Sequence, residues 1–156
     1  MAVLLNPDTS TDLYHMKILI RPQRVYDAKR YVEILSSASF IYFPAKPKSV
    51  KEEKEFLRLN SKKRKDKTSF NFSIIYNGEE HVGGIGVRID LHRSFIGEIG
   101  YFVDEKYWGK GIATCALKLL EEFIFSNLSL HRIEIRMAKE NKASQKVAIK
   151  CGSITP

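Results

Sequence analysis

The alternation of apolar and polar residues predicts strands in the first half of the chain. Residues 16–21 alternate and are followed by a proline, which is typical of a half-buried strand. Two β-rich runs, 70–76 and 81–89, are separated by Asn77 and Gly78, a dipeptide that favours the tight turn of a hairpin. The pattern therefore predicts a first strand and an antiparallel hairpin.

The second half predicts a parallel crossover. Residues 95–103 extend the hairpin to a third antiparallel strand, in which Gly100 indicates a bulge or the close approach of a ligand. Residues 112–125 carry the broad apolar stripe of a buried helix, and 131–138 alternate as a last strand. Short connections on both sides of this helix favour a βαβ unit.

Three more helices are predicted from spacing and capping signals. Apolar residues recur at helical spacing over 25–35, and Ser49 begins a capping box for a helix that runs to about residue 62. The basic run 62–67 is predicted to be a solvated loop, and 141–150 a short final helix. The resulting order β, α, α, β, β, β, α, β, α predicts a mixed α+β fold.

Length and composition limit the possible classes. A chain of 156 residues with 44% hydrophobic content fits one domain, which we place at 16–156 after an N-terminal extension 1–15. Its apolar stretches are shorter than the roughly 20 residues of a membrane span. No secretory pattern is visible, so we expect a cytoplasmic protein without a membrane partner.

Charge and cysteine content limit the kinds of partner that the chain is expected to bind. The net charge of +8 indicates an anionic partner, which could be nucleic acid, an acidic protein or a polyphosphate cofactor. The sequence lacks the signatures of nucleic-acid-binding folds, which makes nucleic acid the least favoured of the three. Cys115 and Cys151 form no metal-binding pattern, and His81 and His92 adjoin turns and are interpreted as incidental.

A pair of glycines indicates a candidate anion-binding turn. Gly109 and Gly111 stand where a strand leads into the helix, and they allow a tight turn that leaves backbone N–H groups unpaired at the helix N-terminus. Such donors, together with the helix dipole, bind anions, and Lys110 could add a charge. Two glycines alone are weak evidence, but the strand before them and the periodic helix after them strengthen the prediction.

Five segments, in order along the chain, form one recognisable pattern. They are 18–22 (ILIRP) with Asp27 and Ala28, 98–104 (EIGYFVD), 107–114 (YWGKGIAT), 131–134 (HRIE) and 140–144 (ENKAS). Together they resemble the GNAT acetyltransferases, in the branch of the RimJ and RimL ribosomal-protein N-terminal acetyltransferases. Trp108 stands where other GNAT branches carry Gln or Arg.

The resemblance implies a GNAT fold, in which a mostly antiparallel twisted sheet carries helices on both faces. It implies acetyl-CoA as cosubstrate and no metal, with the pantetheine arm lying beside a splayed central strand. The cofactor-binding residues that it implies are Ile99, Tyr101, Phe102, Val103, Trp108, Gly109, Lys110, Gly111, Ile112, Ala113, Thr114, Asn141 and Ser144.

For catalysis, the resemblance implies direct attack of an amine on the thioester. Glu98 is the candidate base, although it could equally pair with a neighbour such as Arg88. Ser144 would donate to the leaving thiolate, while Asn141 and Ser144 also fit a helix cap. Cys115 is interpreted as core packing.

The final residues depart from the family pattern. Members usually continue with a phenylalanine and two more strands, whereas this chain reads CGSITP over 151–156, so we expect a C-terminally shortened fold. An exposed sheet edge would favour a homo-oligomer. The predicted function is acetylation of a protein N-terminal α-amino group, such as that of a ribosomal protein. The alternatives are acetylation of a small amine, such as a polyamine or aminoglycoside, and a catalytically silent CoA-binding module.

Overall fold

A computed structural model describes residues 3–4, 17–43 and 46–154. Its strands form one sheet in the order β1-β2-β3-β4-β5-β6, antiparallel throughout except for the parallel pair β5–β6. The strands are β1 (Val3–Leu4), β2 (Ile18–Pro22), β3 (Ser69–Tyr76), β4 (Glu80–Ile89), β5 (Ile96–Val103) and β6 (Arg132–Ile135). The predicted mixed fold, the hairpin and the parallel crossover are confirmed.

The helices follow the predicted periodicity with one exception. They are α1 (Ala28–Leu35), α2 (Val50–Arg58), α3 (Asn60–Lys65), α4 (Ile112–Asn127) and α5 (Lys142–Lys150). A short 3₁₀ turn, Val25–Asp27, leads into α1, and Ser49 caps α2 by accepting a hydrogen bond from the Glu52 N–H, as the capping box predicts.

The exception is the basic run, for which the prediction of a loop is wrong. Most of it belongs to α3, where Asn60 is only 7% exposed and donates from its side chain to Gln23. The Arg64 guanidinium lies over the rings of Phe70 and Phe72 on the neighbouring strand. Aliphatic stems and cation–π contacts let this charged segment pack on the sheet, which charge counting along the sequence does not reveal.

Helices cover both faces of the sheet, as the resemblance implied. Phe72 and Ile74 of β3 point into the main core, where Leu120 and other residues of α4 pack against them. Ser73, between them in sequence, points to the opposite face and bonds the Tyr31 hydroxyl of α1 at 2.7 Å. The period of two along β3 thus places α4 on one face and α1 on the other.

The separation of β5 from β6 is the feature that shapes the site. Within the described residues, these strands pair only from Ile96↔Arg132 to Ile99↔Ile135. Beyond Ile99, β5 continues to pair with β4 but, in the part of the chain that the structure describes, no strand pairs with it on the side of β6. A gap therefore opens in the sheet at Gly100.

The bulge predicted at Gly100 is wrong. Gly100 pairs with Gly86 in a register that is continuous along the whole of β4–β5. The irregularity instead lies between β3 and β4, where Ile74 pairs with Gly83 and Ile75 with His81. The close approach that a glycine in a strand can indicate is still compatible with the gap beside it.

The N-terminal region contributes a strand to the edge of the sheet. Val3 pairs with Ile20 and Leu4 with Leu19, so part of the predicted extension 1–15 belongs to the fold. The division into an extension and one domain stays a prediction, since most of the extension and residues 155–156 lie outside the described residues. In the described part, no helix combines the length and apolarity that a membrane span requires.

Candidate functional site: the turn after β5 and the gap beside it

A compact turn connects β5 to α4. Asp104 follows the strand and accepts a hydrogen bond from the Lys106 N–H at 3.1 Å, which fixes the 3₁₀ turn Glu105–Tyr107. Gly109 and Gly111 then adopt φ angles of 77° and 78°. Glycine occupies this left-handed region without the steric cost that other residues incur, so the tight turn forms as the sequence predicts.

The N-terminus of α4 presents unpaired donors at this turn. Gly111 is the N-cap and offers no side chain, and the first turn of the helix carries no acidic residue. The Cys115 N–H bonds the Gly111 carbonyl at 3.1 Å, so the amides of the first turn before it lack intrahelical acceptors. The dipole of a 16-residue helix adds positive potential at the same place. This arrangement fits a phosphate-bearing ligand.

Trp108 and Lys110 both have contacts within the protein. The Trp108 indole N–H donates to the Val103 carbonyl at 2.6 Å, and its ring meets Phe40 edge-on at 5.9 Å. The Lys110 ammonium lies 5.3 Å from the ring centroid of Tyr107. Trp108 therefore closes the turn back onto β5, and the predicted cofactor contacts of both residues stay predictions.

The side chains beside the gap at β5 differ between the two faces of the sheet. Ile99 and Tyr101 point into the core on the α4 side, and Phe102 points to the other side, where Tyr31 and Phe43 surround it. Because the side chains of β5 point to the two faces of the sheet, the edge of the strand that borders the gap presents backbone groups. An extended ligand with amide groups can pair with such an edge.

Tyr101 connects this strand to the start of α5. Its hydroxyl donates to the Ser144 carbonyl at 3.1 Å. Burial raises the pKa of Tyr101, so the hydroxyl stays protonated and remains a donor at neutral pH. Asn141 caps α5, since its side-chain oxygen accepts from the Ser144 N–H at 3.2 Å. The capping alternative is thus what the structure shows, and the ligand roles of Asn141 and Ser144 stay predictions.

Glu98 lies next to the point where the strands separate. Its carboxylate forms ion pairs with Arg88 at 3.2 Å and with Arg136 at 3.4 Å. It also stands opposite Glu134 in the β5–β6 register, and Arg136 approaches both carboxylates. The pairing with Arg88 predicted as the alternative is present, while a role for Glu98 as base stays a prediction.

A buried polar network on the α1 side was not predicted as a unit. Asp27 is 2% exposed, and its carboxylate accepts two hydrogen bonds from Arg21, at 2.7 and 2.8 Å, and one from Ser73 at 2.8 Å. Burial alone would raise the pKa of Asp27, but these bonds and one from the Arg24 N–H outweigh it and lower that pKa. The one signal of this network in the sequence was the position of Asp27 among the apolar residues of the predicted helix.

His81 has a structural role, and its interpretation as incidental to the chemistry stays a prediction. Its ring packs edge-on against Tyr31 at 4.6 Å, and its Nε2 lies 3.0 Å from the Gly83 carbonyl. Burial lowers the pKa of His81 and outweighs the nearby Asp27 carboxylate, which raises it, while Arg21 and Arg30 add to the lowering. The contacts arise from the folding of α1 onto β4, which a histidine beside a turn does not indicate. His92 is exposed.

The chain matches known proteins over most of its length. The family model described as an acetyltransferase (GNAT) domain matches residues 17–154. The "Probable N-acetyltransferase YjcK" of Bacillus subtilis is 41% identical over 66 residues, which are 42% of this chain and 35% of that relative. The chain thus matches about a third of that relative's length.

Two longer matches agree with this one. The "Putative ribosomal N-acetyltransferase YdaF" of Bacillus subtilis is 26% identical over 145 residues, covering 86% of this chain and 76% of that protein. The structure of RimJ from Mycobacterium smegmatis in complex with CoA-disulfide superimposes with a TM-score of 0.75 at 23% identity. That superposition covers 85% of this chain and 68% of RimJ, and at this identity it shows a shared fold.

Proposed function

Because the chain belongs to the GNAT acetyltransferase family, we propose that it transfers the acetyl group of acetyl-CoA to a primary amine. The observation that carries the proposal is the uncapped N-terminus of α4, which the turn 104–111 joins to β5, a strand whose pairing with β6 ends at Ile99. One element offers donors to a pyrophosphate, and the other offers a strand edge to a linear amide-bearing arm. Acetyl-CoA combines these two chemical features.

The pyrophosphate would bind at the glycine turn. Its oxygens would accept from the amides of Gly109, Lys110, Gly111, Ile112 and Ala113, with Trp108 and Thr114 flanking them. Left-handed φ angles at Gly109 and Gly111 leave the backbone free of side chains at the turn, and a turn of this kind can form a backbone anion site. The pantetheine arm would then pair with the backbone of residues 99–103.

The thioester would lie where β5 and β6 separate, near Gly100. Direct transfer requires a neutral amine, polarisation of the carbonyl and a proton for the departing thiolate. Glu98 would take the proton from the amine, directly or through water, after exchanging one of its two arginine contacts. The Ser144 hydroxyl, at the start of α5, would donate a hydrogen bond to the departing thiolate, which then takes up a proton from solvent.

We favour the α-amino group of a protein N-terminus, such as that of a ribosomal protein, as the acceptor. Support comes from YdaF, whose name describes a ribosomal N-acetyltransferase and which aligns over 86% of this chain. The fold shared with RimJ is consistent with the same class. Small amines and a catalytically silent CoA-binding role are the alternatives against which this proposal is tested.

The proposal is tested by measuring the CoA thiol that is released from acetyl-CoA, which a thiol reagent converts to a coloured product. Acceptors are peptides with a free N-terminus, the same peptides already acetylated, spermidine and an aminoglycoside. We expect turnover with the free peptides alone. Turnover confined to a small amine would overturn the acceptor assignment, and CoA binding without turnover on any amine would support the silent module instead.

A variant separates binding from catalysis. Glu98→Gln removes the base but retains a side chain of the same size, so we expect kcat to fall by about 10²–10⁴-fold with the CoA dissociation constant unchanged. Arg93→Gln, which breaks the exposed Arg93–Asp90 ion pair at 3.0 Å in the β4–β5 loop, is the matched control and should change neither quantity. Unchanged kcat in Glu98→Gln would exclude this residue as the base.

A further inference from the structure

The segment that leads into the glycine turn is held by residues of α1. Arg30 donates one hydrogen bond to the Asp104 carboxylate at 2.5 Å and another to the His81 carbonyl at 2.9 Å. One guanidinium thus connects α1, the start of β4 and the first residue after β5. Arg30 and Asp104 are 74 positions apart in sequence, so only the fold brings them together.

Asp104 is fixed from several directions. It is 5% exposed, and its second carboxylate oxygen accepts from the Lys106 N–H. Its own backbone N–H donates to the Val82 carbonyl at 2.7 Å. A carboxylate this deeply buried requires a counter-ion, and Arg30 supplies it. The position of the carboxylate in turn sets the direction of the 3₁₀ turn that follows.

Two neighbouring contacts come from the segment just after α1. The Ser39 hydroxyl donates to the Glu105 carboxylate, and the Phe40 ring meets Trp108 edge-on. Residues 104, 105 and 108 are therefore each contacted from the α1 side. Of the three contacts, the ion pair is the least exposed and the one with the strongest charge complementarity.

We infer that Arg30 is a positioning residue for the CoA turn, and that it acts by holding Asp104. The inference rests on the proposed function, since it concerns how the chain presents its backbone donors to CoA. Without the guanidinium, the Asp104 carboxylate would lose its counter-ion and form other contacts. The segment before Gly109 would then no longer be held in one direction. The N–H groups around Gly111 would then converge on an anion for a smaller fraction of the time.

A double-mutant cycle tests the inference by calorimetry with CoA. Arg30→Gln removes the charge, and Asp104→Asn keeps an oxygen that can still accept from Lys106. We expect each variant to weaken CoA binding by about tenfold, and the double variant to be no weaker than either alone, because both remove one interaction. Arg30→Lys, which restores the charge, should recover part of the affinity.

Steady-state kinetics and amide exchange distinguish positioning from simple stabilisation. In Arg30→Gln, the KM for acetyl-CoA should rise about tenfold while kcat changes less than twofold. The amides of residues 109–113 should exchange faster without ligand, whereas the amides of β3 should not. Arg93→Gln should match the unmodified chain in every measurement.

Two results would count against these conclusions in different ways. If the variants melt at a lower temperature but bind CoA as the unmodified chain does, Arg30 merely stabilises the fold and the inference is overturned. If the unmodified chain itself fails to bind CoA, the proposed function falls and this inference falls with it.

Discussion

Replacement of Gly111 by aspartate is the most direct perturbation of the proposed cofactor site. Gly111 is the N-cap of α4 with φ of 78°, and it stands among the amides that would receive the pyrophosphate. The substitution places a carboxylate where the ligand's negative charge would lie. We therefore expect CoA affinity to fall while the fold persists.

The magnitude follows from two opposing terms. A non-glycine residue in the left-handed region costs about 1–2 kcal/mol, although Asp and Asn tolerate it better than most. A negative charge at the N-terminus of a helix returns about 0.3–1 kcal/mol. The net loss of folding stability is therefore about 0–1.7 kcal/mol. Repulsion between two like charges about 5 Å apart is about 0.8–3 kcal/mol for effective dielectric constants of about 80 to 20.

Calorimetry with CoA on Gly111→Asp, at two ionic strengths, measures the effect. We expect binding at least about tenfold weaker, which corresponds to about 1.4 kcal/mol, with a smaller loss at high salt because screening reduces the repulsion. Gly111→Asn is the matched control, since it has the same shape without the charge and should lose less affinity. Equal affinities for the unmodified chain and the aspartate variant would refute the placement of the pyrophosphate at this turn.

Three further predictions test the surroundings of the site. Because burial lowers the pKa of His81, its stabilising contribution is present above about pH 6.5 and is lost as pH falls through the lower folded value. The decline in melting temperature between pH 7.5 and 5 should therefore be shallower in His81→Gln than in the control His92→Gln, and equal slopes would contradict the assignment. Tyr101→Phe removes the bond to the Ser144 carbonyl and should cost about 1 kcal/mol in urea unfolding. Gly100→Ala should leave the melting temperature unchanged but raise the KM for acetyl-CoA, and unaltered kinetics would show that the ligand does not approach Gly100.

Local patterns predicted most of the elements because each depends on neighbouring residues. The hairpin turn at Asn77 and Gly78 and the helix starting at Ser49 were predicted from residues within a few positions of one another. The tight turn at Gly109 and Gly111 was predicted for the same reason, since the strand before it and the helix after it are adjacent in sequence. These features require no knowledge of tertiary contacts.

Long-range partners could not be predicted in the same way. The prediction for Glu98 included Arg88, which lies ten positions away on the adjacent strand, but not Arg136, which reaches it only because β6 pairs beside β5. The buried network around Asp27 depends on β3 lying under α1, and α3 was predicted as a loop because the sheet contact of Arg64 is invisible to charge counting. The homo-oligomer stays a prediction.

Gly100 shows how a correct sequence signal can have a different structural cause. A glycine in a strand often relieves a bulge, yet here the register is continuous, and a Cβ built at Gly100 would have no atom of the described chain within 4 Å. Its φ is not in the positive range, so the backbone does not require glycine either. The fold therefore gives no reason for the absent side chain, whereas a ligand in the gap would. If a thioester lies beside this strand, the empty space at Gly100 is the space that its approach needs, and tolerance of alanine by the fold with loss of activity would establish that cause.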